Sequence, residues 1–245
     1  MEYDIAEISE ARDVSQFLKM MQDTFEERIG GDRFFRITGT PVNLGRLTAK
    51  LEDSKLLELL AEPPNPHGRR SGWDARPFPP LKRTSIGFEN DRINFHHMMF
   101  IQNGHLEFWT AIDDYFCWRQ AAQEMKEHPR LYPYAVVEHP LSFVRLYRTL
   151  VDFLRIDCDV IFQMQYLNIQ GALLLPYQPE SIGFKFPLDP IKPLARSRLV
   201  FPTKMFPVGF DADATALEVI KDLYYEFGYG REHIPFFDDS GRSTL

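Results

Sequence analysis

With 245 residues, 44% of them apolar and 21 of them Phe, the chain has material for one substantial, aromatic-rich core. Acidic residues outnumber basic ones by 35 to 28, a formal charge of −7 that excludes a whole-surface attraction to nucleic acid. No apolar run approaches the roughly 20 residues of a membrane span. The first residues are acidic and polar with no secretory signal, and two cysteines, Cys117 and Cys158, are too few for a disulfide scaffold. A cytoplasmic chain is expected.

Residues 9 to 29 read as a helix. Ser9 can cap it, and Val14, Phe17, Leu18, Met21 and Phe25 recur at three- and four-residue spacing, with Ile29 extending the stripe. Gly30-Gly31 ends it. The stripe must be buried, either on the chain's own sheet or against another chain. Residues 1–31 are therefore expected to form an amphipathic docking or oligomerisation helix whose partner-binding residues are Val14, Phe17, Leu18, Met21 and Phe25. Residues 32–245 are expected to form an α+β domain.

Arg33 to Thr40 alternates as a strand should. Asp53 opens a short Leu-rich helix stopped by Pro63-Pro64. A Pro, Gly and Arg rich loop follows to Pro80, anchored by Trp73. Ser85–Asn90, Ile93–Gln102 and His105–Ile112 read as successive strands, with Asn103-Gly104 as a two-residue turn whose positions both need positive φ. A helix is plausible around Trp118 to Lys126. Pro140 suits the first turn of a long helix bearing Phe143, Val144, Tyr147, Leu150, Val151 and Leu154. Cys158 to Asn168 reads as a strand continued by Ala172–Leu175, and Arg198 to Phe206 as another. Asp211 or Asp213 caps a last helix ending at Gly228. The fold class expected is α+β, an antiparallel or mixed sheet with a central Asn-Gly hairpin and three to five flanking helices.

Convergent chemistry is hard to find. His96 and His97 are adjacent in a strand, so they point to opposite faces, and His105 lies across the hairpin. Asp113-Asp114 could form a Mg²⁺-binding carboxylate pair with a histidine such as His97, as in a metal-dependent nuclease; the competing reading is that they cap a helix. No nucleophile elbow, phosphate loop or dinucleotide fingerprint is present, and no metal or cofactor is expected. Arg69, Arg70, Arg76, Lys82 and Arg83, with Trp73 and Phe78 as stacking groups, form the one basic stretch that could contact nucleic acid directly. Gln163, Gln165, Tyr166, Asn168 and Gln170 gather amides and a phenol on one strand, either to fix a loop or to face a ligand.

The order of certain landmarks carries a resemblance. These are LLELLAEPP, SGWDARP, HLEFW, PLSFVRLYRTL, QYLNIQG, YYEFGY and IPFFD. Together they resemble the region that follows the AlbA-type (Schlafen-like) DNA-binding domain in many bacterial proteins, over about residues 32 to 239. The DNA-binding domain itself is not seen in residues 1 to 31. The resemblance implies a non-catalytic recognition or assembly module that works beside a nucleic-acid-associated partner on a separate chain, in transcription control or anti-phage defence.

Overall fold

The computed structural model describes residues 13–45, 49–63, 75–90, 96–112, 129–174 and 193–245. Among these, four α-helices accompany a seven-strand antiparallel path, an α+β architecture. The helices are α1 (Val14–Ile29), α2 (Ser54–Ala61), α3 (Pro133–Leu154) and α4 (Ala212–Glu226). The strands are β1 (Phe34–Pro41), β2 (Lys82–Arg83), β3 (Gly87–Glu89), β4 (His97–Ile101), β5 (Leu106–Ala111), β6 (Arg130–Leu131), β7 (Val160–Leu167), β8 (Leu173–Leu174), β9 (Arg198–Val200) and β10 (Lys204–Phe206). The main sheet runs β10-β7-β1-β5-β4-β3-β2, with β9 also on β7, and every pairing in it is antiparallel. β6 and β8 form a separate parallel pair, so β8 does not continue β7 as the sequence suggests.

Period-two alternation gives the sheet two distinct faces. Phe35, Ile37, Met98, Phe100, Leu106, Phe108, Phe162 and Met164 join α2, α3 and α4 in the large core. The opposite face is covered by α1. Asp13 caps α1, its side chain accepting from the Ser15 amide at 3.0 Å, and Gly30 ends it with a φ of 58°. The expected start at Ser9 lies outside the described residues.

Three local readings need correction. β4 and β5 pair across residues 102–105, but of Asn103 and Gly104 only Gly104 has positive φ, at 89°. The Gly104 amide bonds the Ile101 carbonyl at 2.9 Å. Gln102-Asn103 are thus the central turn residues and Gly104 the left-handed position after them, a longer loop than the two-residue turn expected. The long helix begins at Pro133, with Pro140 inside it, because Ala135, Val136 and Val137 are fully buried and hold the earlier turns on the core. The span Arg198–Phe206 divides into β9 and β10, interrupted at residues 201–203, which include Pro202. No described helix is long and apolar enough to cross a membrane.

Candidate functional site: a charged layer beneath the first helix

The side chains that point toward α1 are unusually polar for a covered sheet face. From β1 come Arg36, Thr38 and Thr40, from β5 Glu107 and Trp109, from β4 His97, from β7 Gln165, and His105 precedes β5. All are 1% exposed or less. Isolated charges in such a setting would cost many kcal/mol, so they must be matched. They are. Arg36 pairs with Glu107 across the β1–β5 ladder, and its Nη1 also donates to Gln22 Oε1 of α1 at 2.9 Å. His105 Nε2 lies 3.5 Å from Glu107 Oε2, and its Nδ1 lies 2.8 Å from Thr40 Oγ1. Toward the β3 end, Glu89 accepts from Arg28 of α1 at 2.5 Å and sits 3.3 Å from His97 Nε2.

Aromatic contacts complete the layer. The His97 ring stacks on Trp109 at 3.7 Å with 13° between planes, and Phe17 meets His105 edge-on at 5.0 Å. Phe25 packs against Trp109 at 5.1 Å, and the Arg36 guanidinium lies over the Phe25 ring at 5.0 Å.

Burial and pairing set the protonation states. Burial opposes ionisation of Glu107, but Arg36 and His105 outweigh it and bring its carboxyl down to about 2. Burial likewise opposes ionisation of Glu89, yet His97 and Arg28 hold it below the usual carboxylate range. For His105 and His97 burial wins, and both imidazoles are held below their ordinary value despite the nearby carboxylates. The resting layer is thus two arginines, two carboxylates and two neutral imidazoles.

The residues expected to carry function fall in different places. Phe17, Leu18, Met21 and Phe25 are 9% exposed or less, and Val14 is half-buried beside them. Phe17, Leu18 and Met21 pack on Met99 and Ile101, while Phe25 and Ile29 pack on Phe34, Trp109 and Leu167. The stripe expected to bind a partner therefore covers the chain's own sheet, because that face offers apolar residues on either side of the charges. His97 is committed to Glu89 and Trp109; Asp113 and Asp114 lie outside the described residues, as does the helix expected at 118–126. His96 and His97 point to opposite faces as anticipated: His96 meets Phe108 and His139 on the core side. Of the basic stretch, Arg69, Arg70 and Trp73 lie outside the described residues. Lys82 is exposed, Arg83 pairs with Glu52, and the Arg76 carbonyl meets His96 Nδ1 at 3.2 Å. The amide strand divides by role. Asn168, at a φ of 59°, donates to the Asp32 carbonyl at 2.6 Å and so fixes the α1–β1 connection. Gln165 faces α1.

Composition gave no sign of Arg36, Glu89 and Glu107. The signal for Arg36 and Glu107 is the polar alternation of β1, β5 and β7, which on three neighbouring strands marks one face; Glu89, on β3, has no such signal. Chemically, the described layer pairs its charges and binds helix to sheet; Arg36, Glu107 and His105 are fully covered by α1, while Glu89 and Arg28 at the β3 end are partly exposed. Among the described residues, no group of three or more His, Cys, Asp or Glu could hold a metal ion. The chain matches no family model, no curated protein and no solved structure.

Proposed function

We propose that the chain is a non-catalytic recognition or assembly module that acts with a nucleic-acid-associated partner protein, in bacterial anti-phage defence or transcription control. The observation that supports this reading is the spending of the sheet's ionisable groups on one another. Arg36, Glu107, His105, His97, Glu89 and Arg28 close into an internal layer under α1. A catalytic centre keeps at least one such group turned toward a substrate. The partner and its biological setting come from the resemblance in the landmark residues.

The test is a paired one. The tagged chain is recovered from its host and its native mass measured, and the purified chain is incubated with single- and double-stranded DNA and RNA in the presence of Mg²⁺ or Mn²⁺. The expected result is a stoichiometric second chain bearing a nucleic-acid-binding domain, and no cleavage by the purified chain. A lone species that turns over any of these nucleic acids would overturn the reading.

A further inference from the structure

The charged layer balances only while both imidazoles are neutral. Glu107 is matched by Arg36 and Glu89 by Arg28. A proton added at His105 or His97 therefore creates a buried cation beside carboxylates that already face an arginine. Around His105 stand Glu107 on β5, Arg36 and Thr40 on β1, and Phe17 on α1. Around His97 stand Glu89 on β3, Arg28 on α1, and Trp109 on β5, with Glu107 farther along the same face. Each of these charged groups already faces a partner of opposite charge.

The cheapest way to solvate such a cation is to lift α1. The helix shares no residue with the large core on the other face; it is held by two small apolar clusters and by the polar ties of Gln22 to Arg36, Arg28 to Glu89 and Glu26 to Arg198. It leaves the sheet through Gly30-Gly31, where a Cβ would meet nothing within 4 Å at either position. Lifting it would also admit water to the Gln165 amide and the Thr38 hydroxyl, which are buried with no hydrogen-bond partner among the described residues. The core side buries its own imidazoles, His96 and His139, apart from the charged layer, so α3, which carries His139, is the reference against which release of α1 is read.

We propose that α1 is an acid-released cover, hinged at Gly30-Gly31, which detaches as a unit and uncovers the sheet face carrying Arg36, Trp109, Glu107 and Gln165 while the rest of the fold persists. This goes beyond the recognition role and stands independently of it, since it requires no partner. In the released state both imidazoles and both carboxylates are hydrated, and each imidazole has taken up one proton from solvent.

The test is amide hydrogen exchange on the full chain at pH 7.5 and pH 5.5, corrected for intrinsic chemistry. Each imidazole that must charge on opening contributes up to about tenfold per pH unit below about 6.5. Protection in α1 should therefore fall by roughly tenfold or more, while α3 and β7 keep theirs. In His97→Gln/His105→Gln the α1 protection should no longer depend on pH. Equal α1 protection at the two pH values in the wild-type chain, or loss shared by α3, would overturn the proposal. Both are read on the unmodified protein, so the outcome does not depend on the variant folding.

Discussion

The ring of Tyr147 lies so close to Gly39 that a Cβ built on the glycine would meet Tyr147 Cδ2 at 2.6 Å. The ring cannot step aside. Phe162 abuts it at 5.3 Å and Phe143 at 6.3 Å, and its hydroxyl donates to the Gly104 carbonyl at 3.1 Å. This close approach lets α3 sit down on β1, and it ties α3 to the β4–β5 connection as well. Gly39→Ala should destabilise the chain by about 1–3 kcal/mol through overpacking. The denaturation midpoint should drop with an unchanged slope, since the surface exposed on unfolding is the same. A wild-type midpoint would show that the helix can shift at no cost.

Arg36 and Glu107 make a second close relationship, of charge instead of shape. Removing either alone strands the other in a dry interface. Arg36→Met and Glu107→Leu should each cost about 3–5 kcal/mol, while the double variant should be far less damaged than the sum. A double-mutant cycle in denaturant measures the difference. Additive effects would mean that the two groups find other partners when separated.

The α1 stripe and the alternation of β1 were both readable from residue spacing. What spacing could not supply was their relation. Arg36, Thr38 and Thr40 alternate with Phe35 and Ile37, a pattern that ordinarily marks one face turned to water. Here that face is dry because an amphipathic helix with its own Gln22 and Arg28 lies over it. Deciding this requires the register that sets Arg36 opposite Trp109 and Gln165, and Thr38 opposite Glu107, and register is a property of paired strands. The start of α3 is hidden from spacing for a related reason: Pro133 and Pro140 both suit a first turn, and the burial of Ala135, Val136 and Val137 chooses between them.

Stability should fall on the acid side in two stages. His97 and His105 have folded values below the ordinary imidazole value, so the unfolded chain binds more protons as pH drops below about 6.5, and stability is lost from there downward. Glu107 has a folded value of about 2 against a model-peptide value of 4.5. Its contribution is complete above about 4.5 and disappears as pH falls toward 2. Thermal midpoints across pH 8 to 3 should show both limbs, and His97→Gln/His105→Gln should flatten the upper one. A profile level between pH 7 and 5 in the wild-type chain would contradict the burial of neutral imidazoles.

The alkaline side is set by phenols. Tyr147, Tyr166 and Tyr224 are buried, and burial raises all three above the ordinary phenol value. Their contribution is intact below about pH 10 and is lost as pH rises further, because only the unfolded chain releases those protons readily. Spectrophotometric titration near 295 nm should show a group of tyrosines that ionises together with loss of structure. Smooth ionisation of every tyrosine with structure retained would argue against their burial.

Arg145 of α3 grips Asp213 of α4 with two bonds, Nε to Oδ1 at 2.7 Å and Nη2 to Oδ2 at 2.9 Å, and Asp213 Oδ2 also accepts from the Ser243 amide at 2.9 Å. One carboxylate thus joins two helices and the chain's last residues. Both partners are mostly shielded, so the bidentate geometry is worth more than a surface pair, about 1.5–3 kcal/mol. Asp213→Asn keeps the shape and one acceptor but removes the charge. It should lower stability by that order and loosen the end of the chain first, because the Ser243 contact is made by a short segment with few alternatives. Limited proteolysis should then trim residues after Ile234 faster than in the wild-type chain, with the body of the protein still resistant. If trimming and global stability are both unchanged, the docking of the tail rests on its apolar contacts, chiefly Phe236 against Tyr134 at 4.6 Å, and the carboxylate is dispensable.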